Sequence, residues 1–285
     1  MRVFIMSDME GVAGITKWQQ VMGGSHGTAS QQYMEGRKLY TGEINAAIRG
    51  AREGGADEIV VMDCHGAGHG WSFGSLILEE LDPGIEVVTQ RQWTDYTEVL
   101  EEGCDAAMFV GAHAMAGTPE GGLCHTVHGS AWRDVRFNGT SVGESGINAA
   151  LAGTWDCPPV LVTGDQAVCQ EGKELFGDWL TTVQVKRSYG WQSARHKTPE
   201  MARAMISAGA REALEKLDQA KPYKPGNPCV IEIDVFTMDM VEQFRHHEFV
   251  EIVNPTTIRF EAEDWWSAWK RFFFNYVWPE VTLSH

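Results

Sequence analysis

Apolar residues in the first two thirds of the chain come in short unbroken runs, each closed by a polar turn. Val3 to Met6 is one such run and stops at Ser7-Asp8. From Ala29 to Gly54 the pattern changes to helical spacing, carried by Tyr33, Leu39, Ile44, Ala47 and Ile48. Glu58 to Met62, Ala106 to Val110 and Val160 to Thr163 repeat the first kind of run. Strands that are apolar throughout and separated by helices predict an α/β fold, with a mostly parallel sheet sandwiched by helices. A further helix is predicted from Pro199 to Leu217. The segment from Lys221 to Pro228 holds Pro222, Pro225 and Pro228 and cannot be regular structure, because proline lacks a donor and restricts its neighbours. Beyond it, Val230 to Phe236 and Thr257 to Phe260 read as strands, and Trp265 to Trp278 as an aromatic closing segment. The expected division is an α/β domain over residues 1–220 and a smaller C-terminal α+β unit over 229–285. That unit can also belong to the same domain and to the oligomer interface.

Composition narrows what such a fold does. The chain has 285 residues, 43% hydrophobic and 22% charged, which suits a molecule with a substantial buried core. Its 23 basic residues against 39 acidic ones give a net charge of −16. The average surface therefore repels polyanions, so neither nucleic acid nor an anionic membrane is an expected partner. The N-terminus lacks the sections of a signal peptide and no apolar run approaches ~18 residues. A cytoplasmic location is expected. Six cysteines, at 64, 104, 124, 157, 169 and 229, form no C-x-x-C pair, which argues against a disulfide framework and a thiolate zinc site.

Ligands of open α/β sheets bind beyond the carboxyl ends of the strands. The residues that follow the first three runs there are Asp8 and Glu10, His65, and His113. Asp8 and Glu10 are two positions apart, so an extended backbone sends both carboxylates to one side. Alone, the pair reads equally as a solvated acidic turn, and either histidine alone as a hydrogen-bonded core residue. Glu144 follows a glycine-bearing turn and opens a helix through Ala150, where a carboxylate is also favoured by the helix N-terminus alone. Taken together, two imidazoles and three carboxylates suit zinc, with manganese or cobalt as alternatives. Two divalent cations would outweigh three carboxylates, leaving positive charge where a tetrahedral oxyanion develops. That favours hydrolysis.

Ser7-Asp8-Met9-Glu10-Gly11, Asp63-Cys64-His65-Gly66, Gly111-Ala112-His113, His125-Thr126, Asn138-Gly139 with Gly143-Glu144, and Gly164-Asp165 resemble motifs of the DppA-type D-aminopeptidase family of zinc peptidases. Glu43 to Ile48 and the stretches around Lys186 and Ser193-Ala194 extend the similarity over nearly the whole chain. The resemblance implies metal ligands at Asp8, Glu10, His65, His113 and Glu144, two ions per subunit with Asp8 shared between them, and a catalytic histidine at His125. It further implies water activated at the two-metal site, and release of N-terminal residues, D-amino acids such as D-alanine, from short peptides or aminoacyl amides. A ring-shaped homo-oligomer, a decamer with sites facing an internal channel, is also implied. The sequence departs from the pattern at Cys64, where family members often have serine, and at Cys124 and the tryptophans, which bears on substrate choice. Alternatives are another two-metal amidohydrolase or phosphoesterase, a non-catalytic metal-binding ring, and a Cys124 thiol nucleophile paired with His125. Lys186 and Asp165 are candidates to line the site, with an ordinary ion pair or turn cap as an equal alternative for either, and stand outside the catalytic set. Trp265, Trp269, Phe272, Phe273 and Tyr276 form an apolar helical face for packing on the chain's own sheet or on a neighbouring subunit. His246 and His247 read as surface residues.

Overall fold

The computed structural model describes residues 1–24, 28–68 and 70–275. In chain order its elements are β1 (Arg2–Ser7), α1 (Trp18–Val21), α2 (Gln31–Glu53), β2 (Glu58–Asp63), β3 (Glu86–Val88), α3 (Glu98–Glu101), β4 (Ala106–Ala112), β5 (Trp132–Phe137), β6 (Thr140–Ser141), α4 (Glu144–Thr154), β7 (Pro159–Asp165), α5 (Gln166–Phe176), β8 (Thr181–Gly190), β9 (Ser193–His196), α6 (Pro199–Glu215), β10 (Cys229–Val235), α7 (Met238–Glu242), β11 (Glu251–Asn254), β12 (Thr257–Ala262) and α8 (Trp265–Phe273).

Seven strands form one sheet in the order β3-β2-β1-β4-β7-β8-β9. It is parallel except for the β8–β9 pair. The interior strand β1 shows why the sheet is covered on both faces. Val3 and Ile5 join an apolar cluster with α2 and α6, whereas Phe4 and Met6 join a second cluster with α4, α8 and the other sheet. The alternation follows from the two-residue period of a strand. Helix α2 starts at Ser30, whose hydroxyl accepts from the Tyr33 amide, and α6 starts at Thr198 with Pro199 in its first turn. These two helices cross closely at Gly50, where a Cβ would lie 2.1 Å from the Ser207 carbonyl oxygen.

The second sheet is antiparallel, in the order β11-β12-β10-β5-β6. Its strands beyond residue 229 pair with β5 and β6, which precede α4 in the chain, so this layer is assembled from two distant stretches of sequence. The segment from 220 to 228 has no regular structure, as its prolines require. It still packs tightly, since a Cβ on Gly153 would lie 2.0 Å from the Tyr223 carbonyl. The aromatic face of α8 lies on its own sheet: Trp265, Trp269, Phe272 and Phe273 are buried, with the Trp269 ring 5.5 Å from Trp265 and 4.9 Å from Phe273. Tyr276 and Trp278 lie outside the described residues.

Because Trp269 is fully buried within this stack, Trp269→Ala should cost about 3–5 kcal/mol through lost burial and the cavity left behind. Denaturant unfolding measures it. A loss under ~1 kcal/mol would show that the α8 stack is not part of the cooperative core.

Candidate metal centre

Strand order reverses at β1: the chain moves outward to β2 and β3, then returns to the other side at β4. Such a switch point opens a crevice at the carboxyl ends of the strands, because adjacent connections leave on opposite faces. Asp8 and Glu10 follow β1, His65 follows β2 and His113 follows β4. The turns after β1 and β4 approach until Asp8 donates its amide to Val110 and Gly11 donates to Gly111, each at 2.8 Å. Gly111 has φ 78°, and a Cβ there would lie 2.0 Å from the Asp8 carbonyl oxygen. Glu144 reaches the same point from the first turn of α4, and His125 from the long loop between β4 and β5.

These six side chains meet in two groups of potential ligand atoms, Asp8 with Glu10 and His65, and His113 with His125 and Glu144; within each group the atoms lie within 4.8 Å of one another. His65 Nε2 is 3.4 Å from Glu10 Oε1. His113 Nε2 is 3.3 Å from both Asp8 Oδ2 and Glu144 Oε1, so Asp8 spans the two groups. The donor set fits divalent transition-metal ions on two counts. Glu10 Oε2, His65 Nε2 and His113 Nε2 are buried without a hydrogen-bond partner, an expensive condition that a cation would relieve. The remote ring nitrogens are meanwhile engaged, His65 Nδ1 with Ser75 Oγ and His113 Nδ1 with the Ala114 carbonyl, both at 2.9 Å. For His113 that bond fixes the tautomer and turns the Nε2 lone pair inward. Burial, followed by the charge of Glu10, pushes the Asp8 carboxyl well above its ordinary range. Carboxylates crowded in this way need positive charge between them.

His125 is built differently. Its Nδ1 lies 2.9 Å from the Leu123 carbonyl, its Nε2 lies 3.6 Å from Glu144 Oε1, and its ring stacks on His113 at 4.1 Å. Burial and the neighbouring His113 lower its pKa, favouring the neutral base. The loop is strained around it, with Leu123 at φ 52° and Val127 at φ 62°. A β-branched residue rarely adopts that region. At Val127 the strain aims the backbone amide at Glu144 Oε1, 2.8 Å away.

Three further residues fasten these loops. Lys186 is fully enclosed and its ammonium donates to the carbonyls of Glu10, Val12 and Ile15, holding the turn that carries both acidic residues. Glu43 accepts from the Ala13 amide at 2.9 Å. Asp165 caps α5 through the amides of Ala167 and Val168 and also accepts from Gly122, three residues before His125. A turn cap is thus only half of its role. Periodicity gave no hint of Lys186: the alternation of Val183 and Val185 puts position 186 on the face of exposed Gln184, and the register shift between Gln184 and Lys186 in the β7–β8 pairing is what turns it inward. Cys124 points its thiol at the Thr118 carbonyl, and burial raises its pKa, the reverse of an activated nucleophile. His246 is exposed, and His247 is half-buried beside Phe244 and Phe249.

The centre opens into a cleft of about 540 Å³ whose lining includes Trp18, Phe73, Trp93, Trp191 and Phe273. No helix among the described residues is long and apolar enough to cross a membrane.

An α/β sheet with carboxylates and imidazoles gathered at its switch point forms a candidate metal site, and comparison with known proteins narrows what such a site does. Residues 1–274 match the D-aminopeptidase family of peptidases. A D-aminopeptidase of Bacillus subtilis (strain 168) is 29% identical over 272 residues, covering 95% of this chain and 94% of the relative. Among solved structures, the Zn-dependent D-aminopeptidase DppA from Bacillus subtilis, described as a self-compartmentalizing protease, superposes with a TM-score of 0.86 at 28% identity, covering 96% of each chain. The chain belongs to the D-aminopeptidase family and is a hydrolase acting on peptide bonds.

Burial pushes the Glu43 carboxyl up to about 7 from 4.5, with the Ala13 amide opposing. An acid whose folded pKa is raised favours the native state while protonated. This contribution is complete below pH 4.5 and is lost as pH rises to about 7, amounting to about 3 kcal/mol. Unfolding free energies should therefore fall over that window in the native sequence more than in Glu43→Gln. Parallel pH profiles for the two proteins would contradict this.

Proposed function

We propose that this protein is a metal-dependent aminopeptidase that releases N-terminal D-residues, D-alanine among them, from short peptides or aminoacyl amides. Two divalent ions per subunit, zinc first, with manganese or cobalt as substitutes, would be held by Asp8, Glu10, His65, His113 and Glu144, with Asp8 common to both. The observation that carries this reading is the burial, within these two groups, of three ligand atoms that have no hydrogen-bond partner, Glu10 Oε2, His65 Nε2 and His113 Nε2. When bound, such ions supply Lewis acidity to the scissile carbonyl and to the attacking water. The chain's own part is proton handling and orientation. With Nδ1 committed to Leu123, His125 Nε2 can take the proton released as water attacks and return it to the departing amine, the two-way transfer expected of a general base and acid. Glu144, aligned by the Val127 amide, faces both His113 and His125 and holds the two rings in register.

A phosphoesterase would need several cations to clamp phosphate. Among the described residues Arg91 is the sole lysine or arginine lining the cleft, which favours the peptidase reading. A ring-shaped homo-oligomer, a decamer, fits the relative's self-compartmentalizing character and the exposed Tyr189, Phe236 and Met238. Six free cysteines suit a reducing compartment such as the cytoplasm.

Exhaustive chelation should abolish hydrolysis, and zinc, manganese or cobalt should restore it; full activity in metal-free protein would reject the reading. In the same assay His125→Ala should keep its metal while kcat falls by at least ~10²-fold. Loss of metal in that variant would make His125 a ligand, and an unchanged kcat would move proton transfer elsewhere.

A further inference from the structure

We propose that among the N-terminal residues released the protein favours bulky apolar side chains over alanine, seating them against an aromatic wall of Trp18, Trp191 and Phe73, and that Arg91 receives the free carboxylate of a short peptide. This rests on the aminopeptidase reading above and adds to it the chemical class of the substrate.

The wall is continuous with the chemistry. The His113 ring stacks on His125, the Trp18 ring meets His125 edge-on at 5.3 Å, and Trp191 meets Trp18 at 5.6 Å. A row of rings thus runs from the carboxylate cluster to the mouth of the cleft. A side chain projecting outward from a carbonyl placed beside His125 can lie along it. Trp191 ends the row with half its surface exposed, 51%, although its backbone is fixed: its carbonyl accepts from the Leu123 amide at 2.7 Å. Its indole N–H donates to Cys124. A tryptophan held in place yet left uncovered is surface available to a ligand.

Phe73 completes the wall at a conformational cost. Its φ is 60°, a region that bulky residues avoid, and its amide donates to the His65 carbonyl at 2.9 Å. Strain of this kind gathers where a side chain must be presented to a ligand. Alanine would fill little of the 540 Å³ and leave the rings in water, whereas leucine or phenylalanine would cover them.

Charge fixes the other end. In a chain of net charge −16, Arg91 is the sole lysine or arginine lining the cleft among the described residues, so a peptide carboxylate that extends past the metal site finds its cationic partner there. Among the described residues Arg91 has no ion pair or hydrogen bond, so its guanidinium is free for a carboxylate.

The test is a kinetic series with zinc-loaded protein: D-alanyl, D-leucyl and D-phenylalanyl amides, the matching X-glycine dipeptides, and the same dipeptides capped as C-terminal amides. Leucyl and phenylalanyl amides should exceed alanyl amide in kcat/KM by at least about tenfold, the scale that extra buried methylenes support. Trp191→Ala and Trp18→Ala should each pull that ratio toward one. The ratio matters because Trp18 touches His125, and its loss could slow every substrate alike. Arg91→Gln should lower kcat/KM by roughly 3- to 10-fold for dipeptides with a free carboxylate and leave their amides unchanged. Alanyl substrates cleaved as well as leucyl ones, or a size ratio that survives both tryptophan variants, would overturn the aromatic wall. Equal losses on both dipeptide forms would overturn the role of Arg91. A protein that cleaves nothing in the series would instead sink the aminopeptidase reading, and this proposal with it.

Discussion

Three carboxylates share one buried point in this molecule, and much of the surrounding structure exists to keep them there. Asp8, Glu10 and Glu144 would separate if their backbones were free, because like charges in a low-dielectric pocket repel strongly and each loses its hydration. They are held by β1 in the interior of the sheet, by the contact between the Gly11 and Gly111 turns, and by the start of α4. Lys186 adds the remaining restraint, its ammonium gathering three carbonyls of the acidic turn. Removing that cation would release the turn and leave the carbonyls unpaired.

The same constraint joins fold to chemistry. A parallel sheet with both faces covered provides rigid strand ends, and the reversal of order at β1 provides the only kind of gap into which neighbouring strand ends can project side chains without collision. His65 and His113 enter that gap from the two strands flanking β1, with remote nitrogens already hydrogen-bonded. The arrangement is preorganised for cations and costly without them. His125 stands at its border, close enough to Glu144 to share the electrostatics and held separately by the strained loop that Asp165 and Trp191 secure.

Much of this was legible in the sequence because it rests on local patterns. Unbroken apolar runs marked β1, β2, β4 and β7, and the residue types directly after the first three are those that converge. The strands β5 and β6 were not legible: Trp132, Val135 and Phe137 are buried, but Arg133, Asp134 and Arg136 between them break the unbroken apolar run that marked the other strands. In the structure Arg136 forms ion pairs with Asp134, Glu232 and Asp234, two of them on β10, so these charges form a cross-strand network that no local window reveals. The fastening roles of Asp165 and Lys186 are not legible in the sequence, because their long-range partners, Gly122 and the carbonyls of the acidic turn, are 43 residues away in one case and more than 170 in the other. The aromatic wall was equally hidden, since Trp18, Phe73 and Trp191 come together only through the fold.

The central claim is that the carboxylate cluster is a two-cation site bridged by Asp8. Anomalous diffraction at the zinc edge, on crystals grown with zinc, tests it most directly. The account predicts two peaks per chain, one ligated by Glu10 and His65, the other by His113 and Glu144, with an Asp8 oxygen between them. A single peak, or peaks that leave Glu10 Oε2, His65 Nε2 and His113 Nε2 without a ligand, would contradict it.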